Sequence, residues 1–223
     1  MENIIVFIAV LLIPCITFSI VNFTYSKYKE KDNKKKLSGF EVARKILDDN
    51  ELKDIYIVEI KSNLNDHYDY KQKVIRLSTD VFHGESLTAL AVAAKIASYA
   101  VLDKKNYQFM KIKFTLIPVF NLCVYFSYIL FIVALCMQDY SMVMYSTALI
   151  VIVLIFHIIT LPVEFETKKI SLKSLKDTGV ILDDEENSVI SVLNVSSFIF
   201  IMNIITCISY MISEIKYNLQ RKG

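Results

Sequence analysis

Long apolar segments constrain the fold of this 223-residue chain more than any other feature. A helix needs ~20 mostly apolar residues to cross the hydrocarbon core of a bilayer. Four segments reach or nearly reach that length, at residues 4–23, 114–137, 142–161 and 195–211, and 54% of all residues are apolar. The pattern predicts a mainly α-helical, polytopic membrane protein with about four transmembrane helices.

The first apolar segment has the character of a retained anchor. A secretory signal peptide begins with basic residues and ends at a small-residue cleavage site. The residues before this segment, Met1, Glu2 and Asn3, include no basic side chain. The segment is therefore interpreted as the first transmembrane helix, at residues 1–24.

Lysines that follow the first apolar segment indicate its orientation. Residues 27–36 contain six lysines against one glutamate and one aspartate. Such a run has two interpretations: contact with anionic lipid head groups, or a topology signal that marks the cytoplasmic side. The topology signal is the simpler one, and the loop at 138–140, which has no lysine or arginine, would then face the opposite side. The basic tail at 216–222 disagrees with this orientation, because four spans would place both termini on the outer face.

A small α+β unit is predicted between the first two apolar segments. Ser38 and Glu41 form a capping box that opens an amphipathic helix, which continues to Leu47. Two strands are expected at 54–60 and 74–78, and a longer helix follows. The predicted organisation is a transmembrane helix at 1–24, a cytoplasmic α+β domain at 25–113, a transmembrane hairpin at 114–161, a cytoplasmic segment that carries Glu164 at 162–188, and a last transmembrane helix with the basic tail at 189–223.

Several short motifs occur in an order that resembles one protein family. They lie at residues 39–44, 66–69, 73–84, 89–94, 160–166 and 175–181. Together they resemble the bacterial membrane-bound neutral zinc metallopeptidases (the YugP-like family). The resemblance implies a metallopeptidase-like domain and, in active members, zinc bound by a His-Glu-x-x-His helix. It also implies that Glu164 occupies the position of the third zinc ligand.

The zinc motif itself is lost in this chain. Lys95 and Tyr99 stand at the two histidine positions of the family, and Ile96 stands at the position of the general base. A protonated lysine repels Zn²⁺, tyrosine is a poor ligand at neutral pH, and isoleucine cannot transfer a proton. The sequence therefore predicts a degenerate site with no catalytic residue, no bound zinc and no other cofactor, in which Glu164 remains as a vestigial ligand.

The position of Lys95 predicts that its ammonium replaces the positive charge of the metal. A buried carboxylate without a counter-charge is unfavourable, so we expect the Lys95 ammonium to pair with Glu164. The alternative is that Lys95 points to water while Glu164 lies at the membrane rim. A separation beyond about 6 Å would exclude a direct charge contact.

The other potential metal ligands do not predict a replacement site. His67 and His83 flank the second predicted strand and are interpreted as hydrogen-bonded structural residues. His157 lies in the third apolar segment, where a helix–helix hydrogen bond is expected. The four cysteines all lie in apolar segments and are interpreted as small buried side chains. The net charge of +2 gives no reason to expect a nucleic-acid partner.

Three functions are compatible with the sequence. The favoured one is a catalytically inactive homologue of a membrane zinc metallopeptidase, which binds a membrane-protein client or an active paralogue. A second is an active hydrolase with a non-standard site, such as Ser98 beside Lys95 on one helical face. The third is a purely structural membrane protein, because a shared fold does not fix function. All three place the chain in the cell membrane as a multi-pass protein whose soluble unit is cytoplasmic, with the bilayer as a partner.

Overall fold

The protein is mainly helical, as predicted. The computed structural model describes residues 2–61, 65–137 and 140–222. Within these residues the elements are, in order, α1 (Glu2–Lys29), α2 (Gly39–Asp49), β1 (Tyr56–Ile60), β2 (His67–Asp69), β3 (Val74–Ser78), α3 (Thr79–Phe82), α4 (Leu87–Lys104), α5 (Gln108–Met137), α6 (Tyr140–Asp177) and α7 (Asp183–Lys222).

Three described helical stretches are long and apolar enough to cross a membrane. They are Gln108–Ser127, Met144–Asp177 and Asp183–Ile212. These stretches correspond to the second, third and fourth predicted spans. The first predicted span falls within α1, but the side chains of residues 1–11 lie outside those that the structure describes. Most of the predicted hairpin loop, at 138–139, also lies outside the described residues.

The chain divides into two compact units. The first, here the bundle unit, consists of Met1–Ser19, Ile112–Pro162 and Ile199–Gly223, and the second, here the sheet unit, consists of Ile20–Lys111 and Val163–Phe198. Helix α6 continues through Pro162 without a break, although proline removes one backbone hydrogen bond. The predicted boundary between 161 and 162 therefore does not coincide with a helix end.

The sheet has three strands in the order β1-β3-β2. β3 lies in the middle, parallel to β1 and antiparallel to β2. The two predicted strands are confirmed, although β1 begins at Tyr56, after the predicted start at 54. The sequence did not predict β2, which has only three residues. Asp66 precedes the strand and Asp69 ends it, and aspartate favours turns. The turn itself follows, where Asp69 Oδ1 accepts hydrogen bonds from the amides of Lys71 and Gln72.

Helix α2 begins as the sequence predicts. The Ser38 hydroxyl accepts a hydrogen bond from the Glu41 amide, and the Glu41 carboxylate accepts one from the Ser38 amide at 2.7 Å. The first helical residue, Gly39, approaches α3 so closely that a Cβ atom there would lie 2.1 Å from the Val81 carbonyl oxygen. The apolar face of α2 then packs on α4 and buries Val42, Ala43, Ile46 and Leu47.

The bundle unit packs α5, α6 and α7 around small and aromatic side chains. Cys123, Val153 and Cys207 are buried together against partly buried neighbours such as Phe120. Cys123 and Cys207 are free thiols, which fits their interpretation as small buried side chains. Cys15 is also free but exposed, so the prediction of burial is wrong at that position. The side chain of Cys136 lies outside the described residues.

Candidate functional site

Helix α4 is the central helix of the sheet unit and carries the degenerate motif. The Ser86 hydroxyl caps its first turn by accepting a hydrogen bond from the Ala89 amide at 3.1 Å. Nearly every side chain of the helix is buried, and alanines let α2, α3 and the sheet approach closely. Lys95 and Tyr99 are four residues apart on this helix, so both side chains project from one face.

The Lys95 ammonium forms an ion pair with the Glu164 carboxylate. The Lys95 Nζ and Glu164 Oε2 atoms lie 2.8 Å apart. The Glu164 side chain is fully buried, whereas 15% of the Lys95 side chain remains exposed. The predicted pair is confirmed, since the distance is well within the limit for a direct charge contact.

Tyr99 supplies a second donor to the same carboxylate. Its hydroxyl donates a hydrogen bond to Glu164 Oε1 at 2.7 Å. Burial raises the pKa of the Tyr99 phenol well above its usual value, and the charge of Glu164 raises it further. The phenol therefore stays protonated and remains a donor. The sequence contains the signal for this contact, because Tyr99 lies one turn after Lys95 on the same helical face.

Small side chains allow α4 and α6 to approach closely next to the ion pair. Ser98, Thr167 and Ser171 are fully buried. The Ser171 hydroxyl lies 2.9 Å from the Ser98 hydroxyl, to which it donates, and also 2.7 Å from the Thr167 carbonyl oxygen. The Ser98 hydroxyl itself donates to the Ala94 carbonyl oxygen at 2.8 Å. In the sequence, Thr167 and Ser171 are four residues apart, so they lie on one face of α6.

A pocket of about 470 Å³ opens in the sheet unit beside the degenerate motif. Lys95 and Ile96 form part of its wall. Tyr25 also lines it, and burial raises the pKa of its phenol, with smaller contributions from the charges of Asp66 and Glu164. The other lining residues are Asn22, Ser26, Lys29, Asp66, Ser78, Asp80, Val81, Ser86, Thr88, Ala89 and Val92. Two of the three lost functional positions therefore face a mixed polar and apolar pocket.

The histidines lie apart from this pocket wall. His67 Nδ1 is 2.7 Å from the Asn65 carbonyl oxygen, and His83 Nε2 is 3.3 Å from the Glu59 carboxylate. Both contacts fit the predicted structural role. The predicted helix–helix hydrogen bond of His157 is wrong: its buried Nδ1 has no hydrogen-bond partner among the described residues. The ring instead packs edge-on against Phe120 of α5 and Phe200 of α7.

The residues at the degenerate site do not fit zinc. A catalytic zinc site needs three protein ligands with nitrogen, sulfur or oxygen donors. Here a single carboxylate, Glu164, is combined with the ammonium of Lys95 and the protonated phenol of Tyr99. Across the described ranges, no group of three or more histidine, cysteine, aspartate or glutamate side chains could hold a metal ion. Lys95 already provides the positive charge next to Glu164.

Comparison with known proteins identifies the scaffold. The profile of a family described as "Putative neutral zinc metallopeptidase" matches residues 3–217. The chain belongs to this family. It is also 29% identical to a Bacillus subtilis (strain 168) protein named "Putative membrane protease YugP", over 181 residues that cover 81% of this chain and 80% of that protein. No solved structure matches the chain significantly.

Family membership therefore indicates a zinc metallopeptidase scaffold, whereas the residues at this site do not fit zinc. The family match and the apolar helices establish a membrane protein related to zinc metallopeptidases. Zinc in active family members is consistent with the family description. The residues that would hold the metal in this chain instead form an ion pair and a hydrogen bond around Glu164.

Proposed function

We propose that this protein is a catalytically inactive member of the metallopeptidase family that acts by binding. The observation that carries the proposal is the closed arrangement of Lys95, Glu164 and Tyr99. Peptide hydrolysis by this family chemistry requires a metal that activates water and polarises the scissile carbonyl, with a general base beside it. The Lys95 ammonium cannot activate water in that way, and the Ile96 side chain can neither accept nor donate a proton.

The pocket supports a binding role. Its wall contains hydrogen-bonding groups such as Asn22 and Thr88 next to apolar ones such as Val92. An extended peptide segment presents amide donors and acceptors together with side chains of either character, so it matches this lining. The proposed ligand is a segment of a membrane-protein client or of an active paralogue.

The serine–lysine alternative finds less support in the geometry. A nucleophilic serine must reach both a base and the substrate. The Ser98 side chain is fully buried and donates its proton to the Ala94 carbonyl oxygen, while Lys95 is paired with Glu164. The purely structural alternative differs from the proposal only in the absence of a defined partner at the pocket.

Zinc content is the first test of the inactive state. The detergent-purified protein and its Glu164→Ala variant are measured by elemental mass spectrometry. We expect no zinc above background in either protein, because the donor set does not fit the metal. Near-stoichiometric zinc that disappears in the variant would overturn the proposal.

Crosslinking from the pocket tests the binding role. A photoreactive amino acid is placed at Val92, which lines the pocket, and in a matched control at Lys45, which is exposed on α2. We expect one defined protein to be captured in cells from position 92 and not from position 45. Equal capture from both positions, or capture from neither, would favour a structural role.

The proposed setting is the cell membrane, with several spans and a cytoplasmic sheet unit. Three helical stretches of membrane-spanning length support several spans. The lysine-rich segment 27–36 supports the cytoplasmic side through the positive-inside rule.

A further inference from the structure

One face of α6 changes from apolar to basic within a single turn. Phe165, which is 46% exposed, is followed on the same face by the exposed Lys169 and Lys173 at intervals of four residues. Lys168 lies beside them and is partly exposed. The change occurs in the last part of Met144–Asp177, a stretch long and apolar enough to span a membrane. This is the place where a spanning helix passes from hydrocarbon to head groups.

Helix α1 shows the same transition in the same unit. Phe23 is 71% exposed, and Lys27 follows it one turn later on the same face. The ammonium groups of Lys27 and Lys31 lie 5.3 Å and 5.7 Å from the centre of the Tyr28 ring. Two helices of the sheet unit thus carry an exposed phenylalanine followed by lysines.

In the part of the chain that the structure describes, these lysines form no ion pair, whereas neighbouring lysines do. Lys34 pairs with Asp184 at 2.6 Å, and Lys176 pairs with Glu186 at 2.6 Å. By contrast, among the residues described, no ion pair engages the group here named the basic band: Lys27, Lys31, Lys168, Lys169 and Lys173. Asp184 and Glu186 at the start of α7 thus pair with lysines outside the band, and the band keeps its positive charge.

We propose that the basic band binds the head groups of anionic phospholipids at the membrane surface. Phosphate groups complement its unpaired ammonium groups, and the exposed Phe165 and Phe23 would enter the adjoining hydrocarbon boundary. This interaction is independent of the pocket and of any proteolytic activity. It makes the anionic bilayer a specific partner of the sheet unit.

Lipid titration tests the band. The wild-type protein is compared with Lys168→Gln/Lys169→Gln/Lys173→Gln in phosphatidylcholine nanodiscs with increasing phosphatidylglycerol, and both the thermal midpoint and the lipids retained in native mass spectrometry are measured. A number-matched control removes three exposed lysines that also lack ion pairs in the described part of the chain: Lys45, Lys53 and Lys71. A lysine near an anionic surface strengthens the interaction about fivefold.

We expect phosphatidylglycerol to raise the midpoint of the wild type and of the control. The band variant should show a much smaller rise and at least an approximately fivefold weaker retention of phosphatidylglycerol. Equal effects in the band and control variants would overturn the proposal. Inorganic phosphate is titrated in parallel, and if it stabilises the protein as well as phosphatidylglycerol does, the band is a soluble-anion site and the proposal fails.

Discussion

At the scale of single residues, the central feature is that the buried Glu164 carboxylate has a counter-charge from Lys95. Its carboxylate is fully buried, forms an ion pair with the Lys95 ammonium and accepts a hydrogen bond from the Tyr99 hydroxyl. A buried ion pair adds little compared with an apolar pair of the same shape, but removing only one partner is strongly destabilising.

Removing the lysine alone should expose this dependence. We expect Lys95→Met to lower the free energy of unfolding by about 3 kcal/mol, because Glu164 would stay buried without its cation. The double variant Lys95→Met/Glu164→Gln should recover most of the loss. Chemical denaturation in detergent measures both. A double variant that is as unstable as the single one would show that packing, and not charge, explains the effect.

Removing the Tyr99 hydroxyl should lower the free energy of unfolding by less than removing the Lys95 ammonium. Tyr99→Phe keeps the ring and removes the donor to Glu164, for which we expect a loss of about 2 kcal/mol. In a Glu164→Gln background the same change should cost less, since the acceptor is no longer charged. An equal cost in both backgrounds would contradict the charge-assisted hydrogen bond.

At the scale of elements, α4 and α6 present three side chains to one point. Lys95 and Tyr99 come from one face of α4, and Glu164 comes from α6. A helix with histidines at i and i+4 plus one glutamate from elsewhere is a zinc-ligand set. We propose that α4 and α6 still hold the positions of such a ligand set, with Lys95 and Tyr99 at the two histidine positions and Glu164 opposite them.

Restoring the motif should restore metal binding. The triple variant Lys95→His/Ile96→Glu/Tyr99→His is expected to bind about one zinc ion per chain. Elemental mass spectrometry measures the zinc, and the wild type provides the baseline. Adding Glu164→Ala to the triple variant should reduce zinc retention sharply. A triple variant that folds but binds no zinc would show that α4 and α6 no longer hold the ligand positions.

The cap of α2 predicts a dependence of stability on pH. Hydrogen bonds from the backbone amide of Ser38 and then from its hydroxyl lower the pKa of the Glu41 carboxyl below its ordinary value of 4.5. A lowered folded-state pKa gives stability that is present above the unfolded value and is lost as the pH falls through the folded value. We therefore expect Glu41→Gln to weaken the fall in stability below about pH 4.5.

The hydroxyl of the same cap can be tested separately. Ser38→Ala should lower stability at neutral pH by about 1 kcal/mol, through loss of the N-cap hydrogen bond. Denaturation curves of both variants across the acidic range measure these effects. An unchanged acid limb in Glu41→Gln would contradict the role of this carboxylate.

At the scale of the whole molecule, the distribution of charge predicts the arrangement across the membrane. The lysines at 27–36 predict that the sheet unit is cytoplasmic, and the loop at 138–139 lacks basic residues and should lie outside. In a background without native cysteines, Tyr56→Cys should be protected from an impermeant thiol reagent in intact cells, and Asp139→Cys should be labelled. The reverse pattern would show an inverted orientation. Permeabilised cells, in which both positions should react, provide the control.

The elements that could be predicted from the sequence are those with strong local signals. The cap at Ser38, the strand at 74–78 and three apolar spans are all local patterns of period or chemistry. The sequence did not predict β2, whose three residues become a strand only by pairing with β3. The prediction for His157 is wrong, because the aromatic side chains around the ring come from helices far away in sequence.

The sequence by itself determined that the chain is apolar enough for a membrane, and that residues 95–99 read Lys-Ile-Ala-Ser-Tyr where the family resemblance implies a zinc motif. It also determined that Lys95 and Tyr99 share a helical face, because a helix places residues four apart on one side. Only the tertiary structure decided that this face meets Glu164. The period of a helix defines its faces but not which face of another helix they contact. That choice depends on close packing of small side chains such as Ser98 and Ser171.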